Sequence, residues 1–147
     1  MCISTQARQY IRWIVTTKSQ QEAKDLISAA ILHKTWRDRH TLYAVNTSLV
    51  RSDWERALTV ATTCFGEGFE VQPAVYDRLL YALIGRGNPE VAWEVVFRQV
   101  DKHNTLISPD SIRALEALTI KNPDRRQRLR EYTHRNESRM KDPSEPQ

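Results

Sequence analysis

Four residues suited to starting an α-helix, Ser19, Asp53, Asn88 and Asn122, stand 34, 35 and 34 positions apart in a chain of 147 residues. A side-chain oxygen at such a place accepts a hydrogen bond from a free N–H of the first helical turn, so each marks a helix entry. Glu22 follows Ser19 at capping-box spacing, and Asn122-Pro123-Asp124 copies Asn88-Pro89-Glu90, with proline at the first helical position where its missing N–H is no loss. In the second unit Ser52 competes with Asp53, because it makes the same box with Glu55. Ala23, Ala57 and Ala92 each follow their cap by four residues and supply the small side chain that a close helix crossing needs. Arg126 breaks the pattern in the fourth unit.

The segment before each cap is periodic as well. Tyr76, Leu79, Leu80, Leu83 and Ile84 form a stripe at helical spacing that ends at Gly85-Arg86-Gly87, where glycine can take the left-handed exit conformation. Asn88 is expected to cap the next helix through its side chain, with Ala92, Val95, Val96 and Val100 on the apolar face. Moved back 69 residues, the last four stripe positions fall on Tyr10, Ile11, Ile14 and Val15; moved back 35, they fall on Ala44, Val45, Ser48 and Leu49. Ile112, Leu115 and Leu118 repeat the pattern once more with a small shift. Each unit therefore reads as two helices, and a period near 35 is the mark of repeats that bury their apolar faces by stacking on neighbours.

Charge and composition narrow the function. The net charge of +4 divides unevenly, with 14 basic and 13 acidic side chains in residues 1–120 but 8 and 5 in 121–147. The basic character sits at the C-terminal end. Uncharged stretches such as Ala57 to Gly66 run to ten residues, half of the roughly 20 that span a bilayer, so no membrane insertion is expected. Two cysteines, Cys2 and Cys64, make no disulfide framework and favour a reducing compartment. Cys64 shares a helical face with Ala57, Val60 and Ala61 and reads as a small buried side chain. His33, His40, His103 and His134 include no pair at metal-ligand spacing, and the pairs Gly66/Gly68 and Gly85/Gly87 lack the third glycine and preceding strand of a phosphate loop. No catalytic residue, metal, cofactor or small-molecule substrate is indicated.

The segment Val75-Tyr76-Asp77-Arg78-Leu79-Leu80-Tyr81-Ala82-Leu83-Ile84-Gly85-Arg86-Gly87-Asn88-Pro89-Glu90-Val91-Ala92-Trp93 resembles a pentatricopeptide repeat. It has that family's aromatic, paired aliphatics, glycine turn and alanine in the second helix. The loop Phe69-Glu70-Val71-Gln72-Pro73 resembles the family's inter-repeat segment. Tetratricopeptide repeats place a small residue where Leu80 stands, which makes them the second choice. The resemblance spans about residues 5 to 122 and is strongest from 42 to 100. It implies an all-α fold, a right-handed α-solenoid of about 3.5 to 4 two-helix repeats over residues 1–121; the arginine-rich stretch then reads as a basic terminal helix at 122–141, and the polar, proline-broken end as a disordered tail at 142–147.

In that family the residue after the first-helix aromatic reads a base, which by resemblance is Asp77, with Arg113 in the next unit and Arg8 and Leu42 in the earlier ones. A leucine cannot hydrogen-bond a base edge. Arg125, Arg126, Arg128 and Arg130 are the candidate phosphate contacts, although the same helix would also serve as the polar cap a terminal repeat needs. The implied function is a non-enzymatic subunit of a mitochondrial ribonucleoprotein assembly, a mitochondrial ribosome or RNA-processing complex, contacting mitochondrial rRNA or mRNA and neighbouring protein subunits. The alternative is a tetratricopeptide-like protein scaffold that binds no RNA. A matrix location follows from the first 21 residues, which carry Arg8, Arg12 and Lys18 and no acid before Glu22, as transit peptides do. Because Tyr10, Ile11, Ile14 and Val15 align with core positions, this helix is expected to be retained.

Overall fold

A computed structural model describes residues 3–86 and 88–140, so Cys2, Gly87, Lys141 and the 142–147 tail lie outside it. The described residues form helices and no strand: α1 (Thr5–Thr16), α2 (Gln20–Leu32), α3 (Asp38–Val50), α4 (Trp54–Gly66) and α5 (Pro73–Gly85). Next come α6, continuous through Pro89–Val91, Ala92–Phe97 and Arg98–Lys102, then α7 (Pro109–Ala117), α8 (Pro123–Arg135) and the short α9 (Glu137–Met140). They pack as consecutive pairs, α1 with α2, α3 with α4, α5 with α6 and α7 with α8. The first helices of successive pairs also touch in order, α1 to α3 to α5 to α7, and α2 touches α4.

Three of the four expected caps form. Ser19, Asp53 and Asn122 accept bonds from the backbone N–H of Glu22, Arg56 and Arg125 at 3.0, 3.0 and 3.1 Å. Asn88 does not: its side chain makes no cap bond, while its backbone N–H donates to the Leu83 carbonyl at 2.8 Å and its carbonyl accepts from Ala92 at 3.3 Å. Glu22 does not complete a box with Ser19, because its carboxylate instead accepts from the Trp13 indole at 2.6 Å. Ser52 is no cap either: its φ of 60° puts it in the left-handed exit of α3. Lys34 and Asn104 hold the same place after α2 and α6, at φ 60° and 50°, and Gly68 holds it after α4 at 72°. At each of these four exits the following N–H bonds back to the carbonyl five residues earlier, as Thr35 to Ala30, Asp53 to Ser48, Phe69 to Cys64 and Thr105 to Val100.

The core is the expected stripe. Ile11, Ile14, Val15, Leu79, Leu80, Leu83, Ala44 and Val45 are buried, as are Ala23, Ala57 and Ala92 at the crossings. Cys64 lies among them, its thiol against Thr41 Oγ1 at 3.7 Å, and burial pushes it up to about 11. Two features depart from expectation. The second helix of the third pair carries a π-helical turn over Ala92–Phe97, which places Trp93 stacked on Phe97 with ring centres 4.6 Å apart. The terminal basic helix is broken at Asn136, which is 0% exposed and binds Asn104 Oδ1 at 2.8 Å, so residues 123–140 form two helices.

Side-chain bonds between pairs join residues about one period apart. Gln72 donates to Asp38, Ser111 to Asp77, Arg125 to Glu90, Arg135 to Asp101 and Arg139 to the Asn104 carbonyl, at sequence separations of 34, 34, 35, 34 and 35.

Candidate nucleic-acid interface

The candidate residues fall into three environments. Asp77 Oδ1 accepts from the Ser108 N–H at 3.0 Å and the Ser111 hydroxyl at 2.6 Å, so it anchors the start of α7. Arg113 is exposed and paired with Asp110 one turn away. Arg125 is only 13% exposed, lies 5.4 Å over the Trp93 ring, and bonds Glu90 at 2.5 Å with Glu94 at 3.5 Å. That hydrogen bond holds the Glu90 carboxyl below the usual carboxylate range and raises the Arg125 guanidinium above its own. Arg125 therefore acts as a bolt between α8 and α6. Arg126 donates to the Ile120 carbonyl at 2.6 Å. Arg128 and Arg130 are exposed and make no ion pair among the described residues.

A more open basic surface lies along the first helices. A hollow of about 570 Å³ between α1 and α3 is lined by Arg8, Arg12 and Arg51 with Tyr43. A second, of about 720 Å³ between α3 and α5, is lined by Arg78, Arg86 and Tyr81 and closed at one side by Ala114 of α7. Asn46 and Val50 border both hollows, so they form one groove. No carboxylate lines it, and none of the five arginines has an ion-pair partner among the described residues. Tyr81 is 82% exposed and Val50 85%, leaving a flat ring and an apolar floor open to solvent.

The groove lining differs by one residue from the sequence-based positions in the two middle units. Arg8, Tyr43, Arg78 and Arg113 stand 35 positions apart throughout, and the first three line the groove. Leu42 and Asp77 do not line the groove, and Asp77 bonds to Ser111 at the start of α7. A constant shift of 35 from Arg8 or Arg113 was the signal that finds Tyr43 and Arg78.

Sequence reasoning also missed Arg56. Only 3% exposed, it sits in the first turn of α4 and reaches back one unit, donating to the carbonyls of Ile14 and Thr17 at the end of α1 and to Gln20 Oε1. Carbonyls at a helix C-terminus have no partner in the helix and carry its negative dipole end, which suits a guanidinium. The matching place in α8 is Arg125, so in both units the cation that opens the second helix binds the preceding unit.

Among the described residues no three His, Cys, Asp or Glu side chains group to hold a metal ion, and no helix is long and apolar enough to cross a membrane. No family model matches the chain, and comparison with curated proteins and with solved structures gives no match.

Proposed function

We propose that this chain is a non-enzymatic helical-repeat subunit of a mitochondrial ribonucleoprotein assembly, an α-solenoid whose first-helix groove holds single-stranded RNA. The observation that carries the reading is the groove of α1, α3 and α5, where Arg8, Arg12, Arg51, Arg78 and Arg86 surround Tyr43 and Tyr81 with no carboxylate between them. Cations tracking a backbone beside aromatic faces on which bases stack are the two requirements for binding a single strand with little sequence preference. The ordered contact of α1, α3, α5 and α7 supports the stacked-repeat arrangement. Arg56 ties α1 into the next unit, which supports retention of this helix after import.

The test is binding of a labelled single-stranded RNA at about 50 and 200 mM salt, where each phosphate contact contributes a slope of about 0.7 in log affinity against log salt. The variant with Arg8, Arg12, Arg78 and Arg86 all changed to glutamine is expected to lose most affinity and about 3 units of slope. Salt-independent binding, or an unchanged variant, overturns the reading. Crosslinking in isolated mitochondria checks the location, and a protein with no mitochondrial pool refutes that part. One observation favours a second reading: Leu49, Val50, Ala82 and Ile84 give the groove an apolar floor that suits a partner helix. Such a partner would bind with little dependence on salt.

A further inference from the structure

A separate hollow of about 380 Å³ opens between the N-terminal halves of α1 and α3, on the opposite side of α1 from the groove. Its walls include Gln6 and Tyr10 of α1, Trp36 of the connecting segment, and Arg37, Arg39 and His40 at the start of α3. His40 is 7% exposed, and its Nδ1 accepts the Arg37 backbone N–H at 2.9 Å. The neutral ring must therefore carry its proton on Nε2, and this N–H, with no acceptor among the described residues, is not a buried atom but opens to solvent through the hollow. It is a donor that an acceptor from outside the chain can reach.

The rest of the wall says what that acceptor is. Arg37 and Arg39 are exposed and make no ion pair among the described residues, and no carboxylate lines the hollow. The nearest acid in sequence, Asp38, accepts from Gln72 at 3.2 Å and forms no part of the wall. The Tyr10 hydroxyl donates to the Leu26 carbonyl at 2.5 Å and the Trp36 indole to Thr41 at 2.8 Å, so neither competes. Two permanent cations and one neutral N–H match a dianion with three oxygens. A carboxylate has one charge and two oxygens, whereas guanidinium forks pair with phosphate oxygens in bidentate fashion.

We propose that this hollow binds a phosphate monoester, with His40 Nε2–H and the Arg37 and Arg39 guanidinium groups on its terminal oxygens. The site stands apart from the RNA reading of the groove, and its ligand is either a free phosphorylated small molecule or the terminal phosphate of an RNA strand. Full-length protein is titrated with inorganic phosphate, adenosine monophosphate, and a short single-stranded RNA carrying a 5′-phosphate or a 5′-hydroxyl, while the His40 ring nitrogens are followed by NMR. A saturable shift with inorganic phosphate is expected, weakened at least about tenfold in the Arg37→Gln/Arg39→Gln variant, whose unfolding curve should match the wild type.

Adenosine monophosphate binding at least as tightly as the phosphorylated RNA supports the site and assigns it to a small molecule. Phosphorylated RNA binding more tightly than both supports it and assigns it to a strand end. A response that never saturates, an arginine variant that titrates like wild type, or equal His40 shifts with hydroxyl and phosphorylated RNA overturns the proposal. Loss of the inorganic phosphate response in an Arg8→Gln/Arg12→Gln variant also overturns it, because the anion would then sit in the groove; failure of the groove to bind RNA leaves this test intact.

Discussion

Replacing Arg56 by methionine isolates what one buried cation contributes to the joint between the first two helix pairs. The methionine stem keeps most of the packing and removes three hydrogen bonds, to the Ile14 carbonyl, to the Thr17 carbonyl at 2.7 Å and to Gln20 at 3.0 Å. The Ile14 carbonyl is buried, and leaving it unpaired costs about 1–3 kcal/mol; the other two acceptors are partly reached by water and cost about 0.5–1 kcal/mol each. Relief from desolvating the guanidinium offsets part of this sum, leaving about 3 kcal/mol. For a chain of this size that lowers the melting temperature by about 6–12 °C. Arg56→Lys keeps the charge but loses the fork, and should fall between the two. Thermal and urea unfolding followed at 222 nm measure the loss, and hydrogen exchange should show α1 opening first. A methionine variant within about 0.5 kcal/mol of wild type, with α1 exchange unchanged, refutes the clamp.

The remaining expectations concern backbone strain, the reassigned site residues and pH. Lys34→Gly and Ser52→Gly should each stabilise by about 1 kcal/mol, since both side chains are held at φ 60°, and a destabilised variant in urea titration contradicts the left-handed exit. Asp77→Ala should cost about 2 kcal/mol by freeing the Ser108 N–H and Ser111 hydroxyl, whereas Arg128→Gln with Arg130→Gln should stay within about 0.5 kcal/mol; the reverse order in unfolding assays would return Asp77 to the ligand surface. His40 is held below its ordinary value near 6.5 by burial and then by Arg39 and Arg37, so the unfolded chain takes up the proton first as pH falls. Its contribution is full above about pH 6.5 and lost below it. His40→Gln keeps an acceptor for the Arg37 N–H, and its urea midpoint should decline less than wild type between pH 7.5 and 5; parallel declines refute the assignment.

What the sequence carried best was whatever depends on local chemistry repeated at a fixed spacing. Caps at Ser19, Asp53 and Asn122 follow from side chains that bond their own first turn, and the buried stripe follows from helical periodicity. Asn88 fits the same pattern without making the bond. The π-helical turn was hidden because Ala92 to Phe97 has no residue that forbids an α-helix; Trp93 stacks on Phe97 within it, and Phe97 meets the Tyr132 ring edge-on. The site residues were the least legible. Arginine density marked the C-terminal helix, but whether a guanidinium is free depends on which carboxylates the fold brings near it, as Glu90 is brought to Arg125. In the groove the arginines are spread thinly over several segments, so only the fold gathers them.

The side-chain bonds spaced 34 or 35 residues apart reach beyond stability, into how such a chain drifts over generations. A change at Glu90 is felt at Arg125, and one at Asp101 is felt at Arg135, so neither member is free to wander alone. Among descendants of a common ancestor these positions should therefore change together, and their correlations should form a stripe offset from the diagonal by one period. Insertion or loss of a whole unit would preserve that stripe, whereas gain or loss of a few residues inside one would misalign every partnership across the cut.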